Sequence, residues 1–317
     1  MTAEGFGPGI YTAEEIPEDK YHADPVVGGS LSSSGARKLL PPSCPALFAY
    51  ERDNPPARPS KSLNFGSAAH RMVLGVGPEI HVLQGKDAEE PEDRRKKAVQ
   101  QEEAEAWAAG RLPVLRKEYE QIKAMADKLR QHPLAGILLD PDGGRAEQTI
   151  IWSSTVEGVS GDVEVMRRAR LDWLPDRDPD FRTILVDYKT TTNASPKAIS
   201  KTIAEYGYHQ QAAWYIDAVK AVGAAEDDAT LAFVFQEKRA PYLVTVAEIH
   251  PADLAYARRL NRQALETYAR CTETGYWPGY PEQVVEVRLP RYSRPRRRSA
   301  DPFELRSRVV THRKEIA

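Results

Sequence analysis

The sequence predicts a mixed α/β (α+β) protein, a mixed central β-sheet flanked by helices. Three observations carry this. Between Ala146 and Lys189, apolar and polar residues alternate at the two-residue period of strands, in runs rich in β-branched side chains. Around that stretch, residues 113–132 and 206–222 place apolar and aromatic side chains at three- and four-residue steps, the period of an amphipathic helix. At 317 residues, with 41% hydrophobic and 28% charged, the chain has the size and composition to bury a sizeable core.

Taken in order, residues 1–60 are rich in Gly, Pro and Ser and read as an N-terminal arm with short helices. One is capped by Ser33 or Ser34 and runs through Leu40, and another covers Ala46 to Arg52. Ser62 to Leu74 reads as a helix whose wheel groups His70 with Gly66, Ser67, Val73 and Leu74. Taken alone, a histidine on so apolar a face is a core residue. Lys86 to Gly110 is a charge run, read as a solvated loop leading into a helix. Pro113 to His132 follows as a helix, with Leu115, Tyr119, Ile122, Met125 and Leu129 inward. Ala146 to Trp152 is a strand that carries Glu147. A second strand, Val163 to Leu174, is joined to a third, Thr183 to Thr191, by the turn-forming Pro175 to Asp180, which predicts a hairpin. Ser195-Pro196 opens a short helix. Tyr206 to Val222 is a longer one that puts Tyr208, Gln211, Ala212 and Tyr215 on one face. Strands at Thr230 to Phe235 and Tyr242 to Ile249 pair around Arg239-Ala-Pro241, and a long helix spans Asp253 to Thr274. Residues 61–290 thus form the main domain. Residues 291–317, with Arg294, Arg296, Arg297 and Arg298, form a basic tail, either solubilising or in weak contact with phosphate backbones.

The formal net charge is −2, so any nucleic-acid binding has to come from local patches. No run of about 18 apolar residues is present, as a membrane span needs. Met1 to Glu14 lacks the basic-plus-apolar pattern of a signal peptide, so cytoplasmic placement is the default expectation. The two cysteines, Cys44 and Cys271, are expected as free buried thiols and are too few for a four-cysteine zinc or iron–sulfur site.

The chemistry centres on Val186-Asp187-Tyr188-Lys189. Alternation puts Asp187 and Lys189 on one face of their strand, and Asp172 on the neighbouring strand reaches the same face. Two carboxylates and an ammonium then converge. Such oxygens suit a hard divalent cation that also takes substrate phosphate and water, and the lysine is placed to orient a water or to steady phosphate charge. An isolated Asp-x-Lys is a surface salt bridge. Here Ile184-Leu-Val186 runs straight into the charges and sets them at the edge of a core.

The order is a helix with His70, strands with Glu147, Asp172 and Asp187-Tyr-Lys189, then a helix with Gln211-x-x-x-Tyr215. It resembles the PD-(D/E)XK nuclease superfamily, and within it the RecB-like and RecE-like (exonuclease VIII-type) phage exonucleases. The stretches that carry the resemblance are Phe65-Gly-Ser-Ala-Ala-His70, Arg170-Leu-Asp172, Val186-Asp-Tyr-Lys-Thr-Thr191, Tyr206-Gly-Tyr-His-Gln-Gln-Ala-Ala-Trp-Tyr215 and Gly275-Tyr-Trp-Pro-Gly-Tyr280. The resemblance implies a restriction-endonuclease-like core. It also implies a Mg²⁺ or Mn²⁺ site made by His70, Asp172, Asp187 and the backbone carbonyl of Tyr188. Lys189 is then the catalytic lysine, Gln211 and Tyr215 position the site or the nucleic acid, and Glu147 is a further acidic residue. Asp187 stands where many members have Glu; RecE-like enzymes also have Asp there. The implied activity is a 5′→3′ exonuclease on double-stranded DNA ends, in phage or prophage recombination or DNA repair. Its implied partners are a single-strand-annealing protein and further copies of itself in a ring around DNA. Two alternatives share the core: a structure-specific or restriction-like endonuclease, and a catalytically silent DNA-binding protein.

Overall fold

A computed structural model describes residues 5–55, 61–84, 91 and 93–289, with 61–64 as backbone only; the basic tail expected at 291–317 lies outside the described residues, as do parts of the charge run. In chain order the elements are β1 (Gly9–Tyr11), α1 (Glu18–His22), β2 (Leu31–Ser32), α2 (Ser33–Lys38), α3 (Pro45–Asp53), α4 (Lys61–Leu74), β3 (Ile80–Val82), α5 (Lys97–Ala108), β4 (Leu112–Val114), α6 (Arg116–Arg130), α7 (Ala135–Leu138), β5 (Gly144–Glu157), β6 (Asp162–Pro175), β7 (Ile184–Thr191), α8 (Pro196–Tyr206), α9 (Tyr208–Ala221), β8 (Thr230–Glu237), β9 (Val244–Glu248) and α10 (Pro251–Thr274). Met1–Gly279 is one compact unit and Tyr280–Ala317 another; in the second, the described residues 280–289 are exposed and form neither helix nor strand. Among the described residues, no helix is long and apolar enough to cross a membrane.

The sheet runs β1-β5-β6-β7-β8-β9, with β2 added beside β6. β7 and β8 are parallel and the hairpins β5–β6 and β8–β9 antiparallel, so the sheet is mixed. Alternation explains its two buried faces. On β8, Leu231, Phe233 and Phe235 join one core layer, with Trp214 and Ile216 of α9 and Leu265 of α10. Val234 points the other way, to Val186, Tyr188, Ala68 of α4 and Ile122 and Leu129 of α6. A smaller cluster of Ile16, Tyr21, Val26 and Ile151 closes the N-terminal residues over β5.

Some boundaries differ from the sequence expectation for local reasons. Ser32 caps α2, its Oγ accepting the Gly35 N–H at 3.1 Å, in place of Ser33 or Ser34. Residues 112–114 form strand β4 beside β3, and α6 begins only at Arg116, where the Glu118 carboxylate accepts the Leu115 N–H at 2.8 Å. The helix expected from Tyr206 begins at Tyr208, because Gly207 adopts φ 68°, a left-handed conformation that ends α8 and starts α9. β5 continues past Trp152 to Glu157. Cys44 and Cys271 are both buried and unpaired with each other.

The β5–β6 pair contains the feature that shapes the site. Its register is unbroken on both sides of Glu147 and Asp172, yet no bridge joins those two residues. Glu147 has φ 54°, left-handed for a residue with a Cβ. The pleat changes phase there. Leu171 and Leu174 both pack toward α9 while Trp173 packs toward α6, a spacing that strict alternation forbids. On β5 the same break sends Ala146 and Ile150 to different layers.

Candidate active site

β6 shares its other edge between two partners. β2 pairs with it at Arg167 and Arg168, and β7 pairs with it only at Trp173↔Val186. Between those contacts β6 and β7 draw apart, and the Asp172 side chain fills the opening. Its Oδ2 accepts the Tyr188 N–H at 2.8 Å. A carboxylate thereby takes the place of a strand carbonyl, and it stands where groups from both faces of the sheet can reach it.

From the α4 side comes His70. The buried Ala68 and Ala69 hold this helix close to Val186 and Tyr188. The His70 ring lies 5.1 Å from that of Tyr188, and its Nδ1 is 3.5 Å from Asp172 Oδ2. Tyr188 is fixed in turn: its hydroxyl donates to Gln236 Oε1 at 2.6 Å, and Gln236 Nε2 donates to the Met125 carbonyl at 2.8 Å. From β5 comes Glu147, aimed by its left-handed backbone. One ligand atom each from His70, Glu147 and Asp172 lies within 4.8 Å of the others.

From the α9 side comes the Asp187–Lys189 pair. The two side chains share a face, as the strand period requires, and meet at 2.5 Å between Oδ1 and Nζ. Asp187 is fully buried, and its Oδ2 accepts Gln211 Nε2 at 2.7 Å. Lys189 Nζ also lies 5.1 Å from the centre of the Tyr208 ring. Tyr215, one turn beyond Gln211, is buried beneath them. The structure therefore brings all the expected residues to one opening in the sheet, in two sets. His70, Glu147 and Asp172 make the tight triad. Asp187, Lys189, Gln211 and Tyr215 form the adjoining set, outside that triad.

The electrostatics are those of crowded acids. Burial and then the charge of Asp172 raise the Glu147 carboxyl to about 7. Burial and then Asp172 raise Asp187 to about 6. Burial likewise raises Asp172, against the pull of Lys189. Burial lowers His70 to about 4, helped by Lys189 and opposed by Asp187 and by a hydrogen bond to the Tyr188 backbone, so the imidazole is neutral at pH 7. Burial alone would lower Lys189, but Asp187 and Asp172 outweigh it and lift the ammonium above its ordinary value.

Arg170 belongs to the site although the sequence assigned it no role. Its Nε donates to Glu147 Oε2 at 2.6 Å, and its Nη1 donates to the Ile16 carbonyl at 2.8 Å and to Thr149 Oγ1 at 3.2 Å. The available signal was register: with Gln148 opposite Leu171 and Thr149 opposite Arg170, Arg170 lies diagonal to Glu147.

Comparison with known proteins bears on the whole arrangement. Among solved structures, one described as "Putative exonuclease", from Eubacterium rectale, superposes with TM-score 0.55 at 12% identity, covering 88% of this chain and 96% of that chain. At that identity the likeness speaks for the fold alone. The crystal structure of SSO0001 aligns with TM-score 0.28 at 13% identity over 64% of this chain and 84% of that one, too low to argue from. No curated protein matches the sequence. A family profile described as "PDDEXK-like domain of unknown function (DUF3799)" matches residues 32–290, a span that holds strands β5 to β9 and each side chain of the site. On that match, over most of its length, the chain belongs to the PDDEXK-like family.

Proposed function

We propose that the protein is a Mg²⁺- or Mn²⁺-dependent deoxyribonuclease that hydrolyses phosphodiester bonds of linear double-stranded DNA from its ends, 5′→3′, in phage or prophage recombination or DNA repair. The observation that carries the reading is the convergence of His70, Glu147 and Asp172 within 4.8 Å, beside the Asp187–Lys189 pair. The donor set fits a divalent cation. It offers one neutral imidazole nitrogen and carboxylate oxygens whose mutual repulsion a cation relieves. His70, Glu147 and Asp172 would hold the ion, with Asp187 and the Tyr188 carbonyl beside them. Such an ion supplies Lewis acidity toward a phosphodiester oxygen and acidifies water.

The chain's own groups do the rest. Lys189, kept protonated by its two acidic neighbours, donates to the attacked phosphate and stabilises charge there, rather than serving as a base at neutral pH. Gln211 holds Asp187 in the rotamer that faces Lys189. Arg170 holds Glu147 and ties it to the segment before α1 through the Ile16 carbonyl. Tyr215 closes the apolar floor beneath Gln211.

The 5′→3′ direction, an annealing-protein partner and a ring of subunits around DNA rest on the RecE-like resemblance. The test is digestion of linear duplex labelled at the 5′ or the 3′ end, beside a covalently closed circle, with and without Mg²⁺. Metal-dependent loss of the linear form, early release of the 5′ label and an intact circle are expected. Asp172→Ala, Asp187→Ala and Lys189→Ala should each abolish it. Full activity in any of these variants removes the mechanism, and cleavage of the circle assigns an endonuclease instead.

A further inference from the structure

Among the described residues, one arginine is buried, and it is not at the acidic opening. Arg167 lies five residues before Asp172 on β6, roughly 17 Å away along an extended strand, and faces α9 and α10. It is 5% exposed. Its guanidinium lies 3.9 Å from the Trp214 ring and 4.5 Å from the Trp152 ring. Nη1 donates to Ser154 Oγ at 3.0 Å, while Nε and Nη2 have no acceptor among the described residues. Burial lowers its pKa to about 10, with Asp217 as the opposing charge, so it stays cationic at pH 7. Nε and Nη2 are themselves sealed from solvent, and the Trp214 and Trp152 faces offset part of the cost of burying this cation.

Arg167 lines a cavity of about 400 Å³ together with Ser154, Thr155, Asp217, Arg258, Arg259 and Arg262. Asp217 accepts from Arg258 Nε at 3.0 Å, so the one carboxylate there is already engaged. Asn261, also on the wall, is occupied with Gln210. Four arginines and Ser154 thus border a space within the range of small-ligand clefts, roughly 300–1,000 Å³, although Arg258 is paired with Asp217 and the Arg259 guanidinium also lies 5.5 Å from the Tyr256 ring. Several planar forks around one hollow match a tetrahedral group with oxygens on every side better than they match a single carboxylate.

The geometry points to a phosphate-binding cavity between β5, β6, α9 and α10, separate from the acidic opening. The phosphate belongs either to a nucleic-acid backbone or to a free phosphate or nucleotide. The site stands whether or not the protein cleaves DNA.

The test uses the full chain in EDTA, so that no cleavage is needed. Inorganic phosphate is titrated by calorimetry and by tryptophan emission, since the guanidinium covers Trp214. Arg259→Ala/Arg262→Ala changes only exposed side chains and should fold; it should weaken phosphate binding at least tenfold, and Arg167→Met should abolish it. In parallel, the affinity for a short DNA duplex is measured against salt. A log–log slope about 2 units shallower in the double variant assigns the nucleic-acid backbone, because each lost phosphate contact removes about 0.9. An unchanged slope with phosphate binding lost assigns free phosphate or a nucleotide. Failure of the wild type to take up phosphate, or equal uptake by the double variant, overturns the proposal.

Discussion

Asp187→Asn should make the metal-free protein more stable while ending cleavage. Asp187 is fully buried, and burial with the charge of Asp172 raises its pKa from 3.8 to about 6 despite Lys189 at 2.5 Å. A carboxyl whose pKa is raised on folding destabilises the folded state when ionised. The penalty is absent below 3.8, grows as pH rises through the interval and is complete above about 6. At about 1.4 kcal/mol per pK unit, the full penalty is about 3 kcal/mol. Asparagine has the shape of the neutral acid, and Gln211 keeps its contact by turning its amide. The expected gain over wild type is therefore about 3 kcal/mol at pH 8 and about 1 kcal/mol at pH 4.5. Urea denaturation in EDTA at the two pH values measures it. A variant no more stable than wild type at pH 8, or an equal gain at both, would refute the claim that this carboxylate is held at a cost. A well-compensated ion pair would then be the right description.

Three further outcomes follow from the same geometry. Mn²⁺ should raise the melting temperature of the wild type, and His70→Ala should require about tenfold more ion or higher for the same rise; an unchanged titration removes His70 from the ligand set. Arg170→Met takes away the cation that lowers Glu147, so the pH at which cleavage sets in should move upward, with recovery in alkaline buffer. The same variant should lose roughly 1.5–3 kcal/mol of stability, since a charged hydrogen bond is broken. A pH–rate profile that overlays the wild type would show that Glu147 takes no part.

Much of this site was legible because strand periodicity is a strong constraint. Asp187 and Lys189 had to share a face once residues 183–191 were read as a strand, and an apolar run before them had to place them at a core edge. His70 was not legible alone. A single histidine among Ala68, Ala69 and Leu74 looks like packing, and only the ordered set of motifs gave it a role. The phase change at Glu147 was invisible, because nothing in Ala146-Glu-Gln148 announces a left-handed glutamate, and tertiary contacts select it. β1, β2, β3, α1 and α7 span two to five residues each, too few to show a period. Arg167 was hidden for the opposite reason: in an alternating strand it reads as a surface charge, and only the placement of Trp152 and Trp214 shows it buried.

The earliest described segment is woven into the β5–β6 part of the sheet. Gly9–Tyr11 pairs with Thr149–Ile151, Asp24 and Ser30 accept from Arg168, and Ile16 accepts from Arg170. Trimming the protein to the span 32–290 would strip acceptors from both of these arginines and leave β5 with a raw edge. A shortened gene product designed on that boundary should come out insoluble, whereas one that keeps residue 5 onward should stay in solution. Ribosome order matters as well: the first strand must wait for about 140 more residues before its partner exists, which favours slow, late closure of this edge.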